Sequence, residues 1–462
     1  MTYFADFGLA EPICRALAAK GYTEPTPIQS QAIPIVMAGR DLCGIAQTGT
    51  GKTAAFALPT IDKLAKAPKA LTRGGVRTLV LSPTRELASQ IAESFTQYGK
   101  FMRLSVTTVF GGVPIARQER IMAHGVDVLV ATPGRLIDLI DRGAIDLRRV
   151  EVLILDEADQ MLDLGFIHAL KRIVTLLPKA RQTLFFSATM PKAIEDLAAR
   201  YLTDPVKVSV KPAATTAERV SQAVTFVNQG EKPALLQLVL RGEGVDRALV
   251  FSRTKHGADR IVRQLGNAGI EAAAIHGNKS QGQRERALDM FKKGQVKVLI
   301  ATDIAARGID IDAVSHVINY ELPNVPESYV HRIGRTARAG AGGSAIAFCA
   351  DDERPFLRDI EKLTRMKIDI LPLPEDFRSQ VAKTAAVEKA APPAERHVDP
   401  RSMAARPHGG GGRRGGSGDG GRGTGGGGGG GGGGKGSGGY TGRGPARDPR
   451  VVVNPVRSRG PR

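Results

Sequence analysis

The chain of 462 residues has little with which to staple or anchor itself. Its three cysteines, Cys14, Cys43 and Cys349, are odd in number and scattered, which argues against a disulfide framework or a zinc site. No apolar run approaches the roughly 18 residues of a membrane span. The N-terminal stretch offers no basic start followed by an apolar run, so a secretory signal is not expected. A reduced, cytoplasmic protein with no membrane partner is the expectation. Apolar residues are scarce at the other end. Between His397 and Arg462, 26 of 66 residues are Gly and only six are Val, Ile, Leu, Met or Phe. Such a segment buries too little surface to offset the entropy of ordering it. The remaining body, about 400 residues, has enough apolar content for two cores.

Acidic residues are also in deficit, 46 against 65 Lys and Arg, for a net charge of +19. The last 66 residues hold twelve Lys/Arg and three Asp/Glu, so +9 sits there and +10 in the body. An excess in both parts points to a polyanionic partner. Nucleic acid is the first reading and an anionic membrane surface the competing one.

What the body does contain is alternation. Short Val/Ile/Leu-rich runs, at 78–82, 126–131, 150–155, 183–187, 248–252, 296–301 and 316–320, are separated by helical patterns such as Thr84–Tyr98 and Lys255–Ala268. Continuous apolar strands with helices between them predict an α/β fold of doubly wound parallel sheets covered on both faces. The weaker segment Lys211–Arg219 interrupts the pattern before a fresh series begins near Val220. The expected organisation is a first domain over 1–208, a linker over 209–219, a second domain over 220–372, and a disordered basic Gly/Arg-rich tail over 373–462.

Asp41–Ala46 reads as a strand, and a helical run starts at Ala54. Between them lie Gln47, Thr48, Gly49, Thr50, Gly51, Lys52 and Thr53, a phosphate-binding loop in the required strand–loop–helix context. Small residues let backbone N–H groups wrap a polyphosphate at a helix N-terminus. Lys52 would reach the β/γ-phosphates and Thr53 would coordinate Mg²⁺. The first glycine of the general pattern is Ala46 here. A second apolar strand, Val152–Leu155, ends in Asp156 and Glu157, where parallel sheets bind ligands. Asp156 is the expected metal partner and Glu157 the group that polarises the attacking water. The corresponding place in the second half is read as Phe251–Lys255, which has no Gly-Lys-Thr.

The residues after that strand, Asp156-Glu157-Ala158-Asp159, resemble the signature of the DEAD-box RNA helicases, and the resemblance covers about residues 4 to 370. Pro83–Leu87, Gly111-Gly112, Thr132–Arg135 and Ser187–Thr189 match the motifs of that family's first domain in order. Val250–Arg253, Ala301–Asp303, Arg307–Asp310 and His331–Arg338 match those of its second. The resemblance implies two tandem RecA-like domains, ATP and Mg²⁺ as cofactors, RNA as partner, and local duplex opening coupled to hydrolysis of ATP to ADP and phosphate. The Ala at 46 is this family's usual form of the loop.

Residue roles follow from the same resemblance. Gln29 would read the adenine edge, with Phe4 and Tyr22 stacking on or bracing the base. Asp303 would touch the ribose. Arg335 and Arg338 would meet the γ-phosphate from the second lobe, while His331, Arg332, Ser187 and Thr189 couple hydrolysis to lobe movement. Arg85, Gly111, Thr132 and Arg135 would contact the RNA backbone from lobe one, and Arg253, Gln281, Arg284 and Thr302 from lobe two. Guanidiniums, hydroxyls and glycine amides bind phosphate and sugar and carry no base code, so binding should be sequence-tolerant. The basic tail, with one strict Arg-Gly-Gly at 414–416, reads as a flexible RNA tether or a solubilising extension, and with the short second lobe is similar to the RhlE-type bacterial subgroup. Ribosomal precursors and the RNA-decay machinery are partners the family allows. An ATP-gated RNA clamp or ribonucleoprotein remodeller and a DNA translocase are the rival readings.

Overall fold

The computed structural model describes residues 3–47, 49–210, 220–306, 314–337 and 342–390. In the first half, β1 (Leu42–Ile45), β2 (Val76–Leu81), β3 (Val106–Val109), β4 (Val126–Ala131), β5 (Val152–Leu155), β6 (Gln182–Ser187) and β7 (Val206–Ser209) form one sheet. Its order is β3-β4-β2-β5-β6-β1-β7, with every neighbouring pair parallel. In the second half, β8 (Val220–Phe226), β9 (Ala248–Phe251), β10 (Ala272–Ile275), β11 (Val298–Ala301), β12 (His316–Asn319), β13 (Gly343–Cys349) and β14 (Asp369–Ile370) form another, in the order β10-β11-β9-β12-β13-β8-β14, again all parallel.

The strand runs are continuously apolar because each strand serves two cores. Along β5, Val152 and Ile154 enter one apolar cluster while Leu153 and Leu155 enter the other. β9 divides in the same way, Leu249 and Phe251 against Ala248 and Val250. Helices cover both faces, as parallel sheets require. Thr84 proves to be a cap: its Oγ1 accepts the N–H of Leu87, and the helix proper runs Arg85–Tyr98. Thr254 caps the helix Lys255–Asn267 with the same bond, to Gly257.

The shared strand order pairs β1 with β8, β2 with β9 and β5 with β12, and this corrects one expectation. The segment Phe251–Lys255 follows β9, so it matches the segment after β2 and not the phosphate loop. Matching side-chain contacts mark the pair: Ser82 Oγ lies 3.5 Å from the Thr84 carbonyl oxygen and Ser252 Oγ 3.3 Å from that of Thr254. The counterpart of the phosphate loop instead follows β8 and ends at Lys232, which opens the helix Lys232–Arg241 as Lys52 opens the helix Lys52–Lys66.

A second correction concerns the tail. Residues Phe377–Ala390 form a helix packed on the helix Lys232–Arg241, so the predicted boundary at 373 falls too early. Phe377 is buried and Gln380 Nε2 donates to Gln237 Oε1 at 2.7 Å. An Ala- and Lys-rich composition conceals these contacts because only a few residues make them. Thr48, Arg338, the motif Arg307–Asp310, linker residues 211–219 and residues 391–462 lie outside the described residues. Among the described residues, no helix is long and apolar enough to cross a membrane.

Candidate nucleotide site and nucleic-acid interface

The phosphate loop turns on Gly49 and Gly51, whose φ angles of +82° and +91° favour glycine. A side chain at Gly51 would also meet Gln29 Nε2 at 2.3 Å. Gln29 is buried, and its Oε1 accepts the Thr26 N–H (2.9 Å) while Nε2 donates to the Gly51 carbonyl (3.1 Å). Thr26 Oγ1 donates to the Thr50 carbonyl, and Thr50 Oγ1 to that of Gln47. The segment expected to read adenine is thus stitched to the loop expected to hold phosphate. A Gln amide keeps a second N–H and a second lone pair for a base edge. Phe4 is buried and lies 6.4 Å from Tyr22 at a 22° interplanar angle, whereas Tyr22 is 42% exposed. Phe4 is therefore closed off, and Tyr22 carries the exposed ring of the pair.

Lys52 is 6% exposed, and its Nζ has no hydrogen-bond partner among the described residues. Asp156 and Glu157, at the end of β5, are each 2% exposed. Burial pushes both carboxyls up, and the Lys52 ammonium works against it. Glu157 is pushed up to about 7: desolvation leads, Lys52 and Arg335 oppose it, and Asp156 and Asp159 add to it. Its Oε2 has no hydrogen-bond partner among the described residues, and its backbone sits at φ +52°, the left-handed region unusual for a side chain of this kind. A buried ammonium and a buried carboxylate oxygen, both open, suit a polyanion with its cation. Thr53, in the first turn of the helix Lys52–Lys66, and Asp156 carry the oxygens that would meet that cation. Among the described residues, no group of three or more His, Cys, Asp or Glu could hold a metal without the phosphates.

Asp159 went unmarked in the sequence as a working residue. Its Oδ2 accepts the N–H groups of Ala188 (3.2 Å) and Thr189 (2.9 Å) and the Thr189 hydroxyl (2.9 Å), and its own N–H donates to Ser187 Oγ. Ser187 and Thr189 are thereby fastened to the turn that carries Glu157. Only its place as fourth member of Asp-Glu-Ala-Asp signals this.

The second lobe reaches this site. The Arg335 guanidinium lies close enough to Glu157 to favour its ionised form, and His331 lines a cleft with Gln47, Ala188 and Thr189 of lobe one. Arg332 makes its contacts within lobe two. It is 1% exposed, donates to both Asp303 oxygens (2.6 and 2.8 Å), to Asn319 Oδ1 and to the Glu321 carbonyl, and lies over Phe251. It braces lobe two internally, and the Asp303 oxygens expected to meet ribose are both engaged by it.

The candidate RNA contacts stand at strand ends. In lobe one, Arg85, Gly111 and Thr132 follow β2, β3 and β4. The glycine pair makes room for Arg85, since a Cβ on Gly112 would lie 2.0 Å from its Nη1. Arg135 donates to the Val113 carbonyl. In lobe two, Arg253 and Thr302 follow β9 and β11. Three lobe-two candidates are already paired. Arg284 meets Glu86 of lobe one at 2.8 Å with side-chain exposures of 9% and 4%, and Gln281 Nε2 donates to Glu285 Oε1 at 3.0 Å. Arg253 donates to Glu353 at 2.6 Å. The acids Glu86 and Glu353 were not legible as site residues, because an acid in the first turn of a helix is ordinary in isolation.

Residues 26–197 match the DEAD/DEAH box helicase family and residues 230–340 the helicase conserved C-terminal domain. The chain is 44% identical over 379 residues to the RNA helicase CrhR of Synechocystis, covering 82% of this chain and 75% of that one. It is 45% identical over 389 residues to the ATP-dependent RNA helicase DeaD of Mycobacterium tuberculosis, covering 83% and 67%. Among solved structures, S. cerevisiae Dbp5 bound to RNA and ADP BeF3 superposes with a TM-score of 0.72 at 29% identity, covering 84% of this chain and all of that one. Mss116p bound to ssRNA and AMP-PNP superposes with a TM-score of 0.72 at 26% identity, covering 82% and 81%. With both lobes, the loop and the carboxylate pair in this order, the chain belongs to the DEAD-box helicase family.

Proposed function

We propose that this protein is an ATP-dependent RNA helicase that grips an RNA backbone across two lobes and opens short duplexes locally as it hydrolyses ATP to ADP and phosphate. The observation that carries the reading is the buried, open Lys52 ammonium beside two buried carboxylates, with Arg335 of the other lobe within electrostatic reach. The curated relatives named as RNA helicases and the similar chains solved with RNA support it.

Gln29 favours adenine, and Tyr22 offers it a ring. Lys52 and the loop amides bind the β- and γ-phosphates. Thr53 and Asp156 would hold Mg²⁺, which would neutralise charge building on the phosphate oxygens. Glu157, with its carboxyl near 7, takes a proton from the attacking water at neutral pH. Arg335, and Arg338 by its motif position, stabilise the γ-phosphate in transfer, a contribution of about 10³–10⁵ in rate for such fingers. Loss of that phosphate releases the lobe-two arginines, and Asp159 passes the change to Ser187 and Thr189. ATP and RNA each bridge the lobes, so each strengthens the other's binding. The backbone contacts give a sequence-tolerant, salt-sensitive grip with preference for RNA through its 2′-hydroxyls.

The test compares single-stranded RNA and DNA of one sequence as activators of ATP hydrolysis at fixed salt. RNA is expected to stimulate strongly and DNA weakly; equal stimulation would overturn the RNA reading.

A further inference from the structure

The strand correspondence sets two lysines in equivalent places, Lys52 after β1 and Lys232 after β8. Both are buried, but their surroundings differ. Lys52 Nζ is open, as described. Lys232 Nζ donates to the Tyr320 carbonyl (2.9 Å), the Phe348 carbonyl (3.3 Å) and Oε2 of Glu353, so its three N–H donors are all spent. Glu353 is fully buried and accepts four donors. Oε2 takes Lys232 and the Ala350 N–H (3.1 Å); Oε1 takes Arg253 Nη2 (2.6 Å) and the Leu322 N–H (3.2 Å). An ammonium, a guanidinium and two backbone amides around one anion are the donor set of a phosphate site. Here a side chain of the same lobe satisfies it.

We propose that Glu353 is a built-in anion that fills lobe two's counterpart of the phosphate site and, through its other oxygen, positions Arg253 for the RNA backbone. The proposal rests on the reading of Arg253 as an RNA contact. One carboxylate shared between two cations leaves the trio with a net positive charge, and that charge emerges at Arg253. Lys232 is sealed, whereas the Arg253 side chain is 27% exposed and lines a cavity with Thr254, Asp303, Asn324 and Ser328. The backbone of Arg253 is held as well: its N–H donates to Glu321 Oε2 (2.7 Å), which also accepts Ser252 Oγ (3.0 Å). With both ends fixed, little side-chain freedom remains to be lost when RNA arrives. Glu353 lies beyond residue 340, where the family match ends.

The test separates the two roles of the carboxylate. Glu353→Gln alone strands the Lys232 ammonium in the core, so it is made together with Lys232→Met. Lys232→Met, Lys232→Met/Glu353→Gln, Arg253→Ala and the triple variant are compared for affinity to a single-stranded oligoribonucleotide across a salt series, with kcat and KM for RNA in the ATPase reaction. Lys232→Met is expected to bind RNA within about twofold of wild type, and the double variant about tenfold more weakly, the loss of one charge-assisted hydrogen bond. The double variant should also show a shallower salt slope, by up to about one, as Arg253→Ala does, with kcat at saturating RNA retained. Adding Arg253→Ala to it should cost nothing more. If the double variant binds RNA as Lys232→Met does, or if the two losses multiply, Glu353 does not act through Arg253. No loss in Arg253→Ala alone would reject the reading of Arg253 itself, and the proposal with it.

Discussion

Glu157 combines burial, an open oxygen and a left-handed backbone, and each has a measurable consequence. Acting as a base, it must be ionised, so kcat/KM for ATP at saturating RNA should fall as pH drops through about 7, and Glu157→Gln should lack that limb. The same variant should slow hydrolysis about 10²–10⁴-fold while still forming a complex with ATP and RNA, now slow to release either. Stability moves the other way. Burial pushes the folded carboxyl up to about 7 from the 4.5 of a free side chain, so the penalty on the folded state is full above pH 7 and fades as pH falls from 7 toward 4.5. Nucleotide-free Glu157→Gln should therefore melt a few degrees higher than wild type at pH 8, with the gain shrinking at pH 5; a gain independent of pH would assign it to something other than charge.

At the scale of elements, the helix Phe377–Ala390 is a part of lobe two that composition hides. Phe377→Ala removes a ring that is 2% exposed and should destabilise the lobe by about 3–5 kcal/mol, read from denaturant unfolding. Ending the chain at residue 390 leaves this helix whole and isolates the effect of the basic tail. That truncation should weaken RNA binding most at low salt and spare the maximal ATPase rate; unchanged affinity would make the tail a solubilising extension. Eight strands were legible: β1 from its place before the phosphate loop, and seven because each feeds two cores and reads as an unbroken apolar run. The edge strand β7 alternates exposed and buried positions, β10 is mostly Ala, and β14 is two exposed residues, so none of these announces itself. The site was legible where cations and glycines follow a strand. It was not legible in Glu86 and Glu353, which hold cations, or in Asp159, which holds Ser187 and Thr189, since their partners are distant in sequence. The family was readable from ordered motifs, whereas the subgroup leans on a tail outside the described residues.

Across the whole molecule, the lobes meet in two places: Arg335 near Glu157 on the proposed nucleotide face, and Arg284 with Glu86 on the proposed RNA face. Glu86→Gln leaves the Arg284 guanidinium without its buried counter-charge, so the factor by which ATP analogue tightens RNA binding should fall severalfold while lobe one alone keeps its nucleotide affinity. Inter-lobe fluorescence transfer should rise when a non-hydrolysable ATP analogue and an oligoribonucleotide are added together, and rise less in this variant; no change in wild type would remove the closure on which the mechanism depends. The capped lysine of lobe two leaves the two halves unlike in one respect that their common topology hides. With its three donors spent inside its own lobe, Lys232 has none left over for a triphosphate, so the second half keeps the frame of a nucleotide cradle without the open ammonium of one.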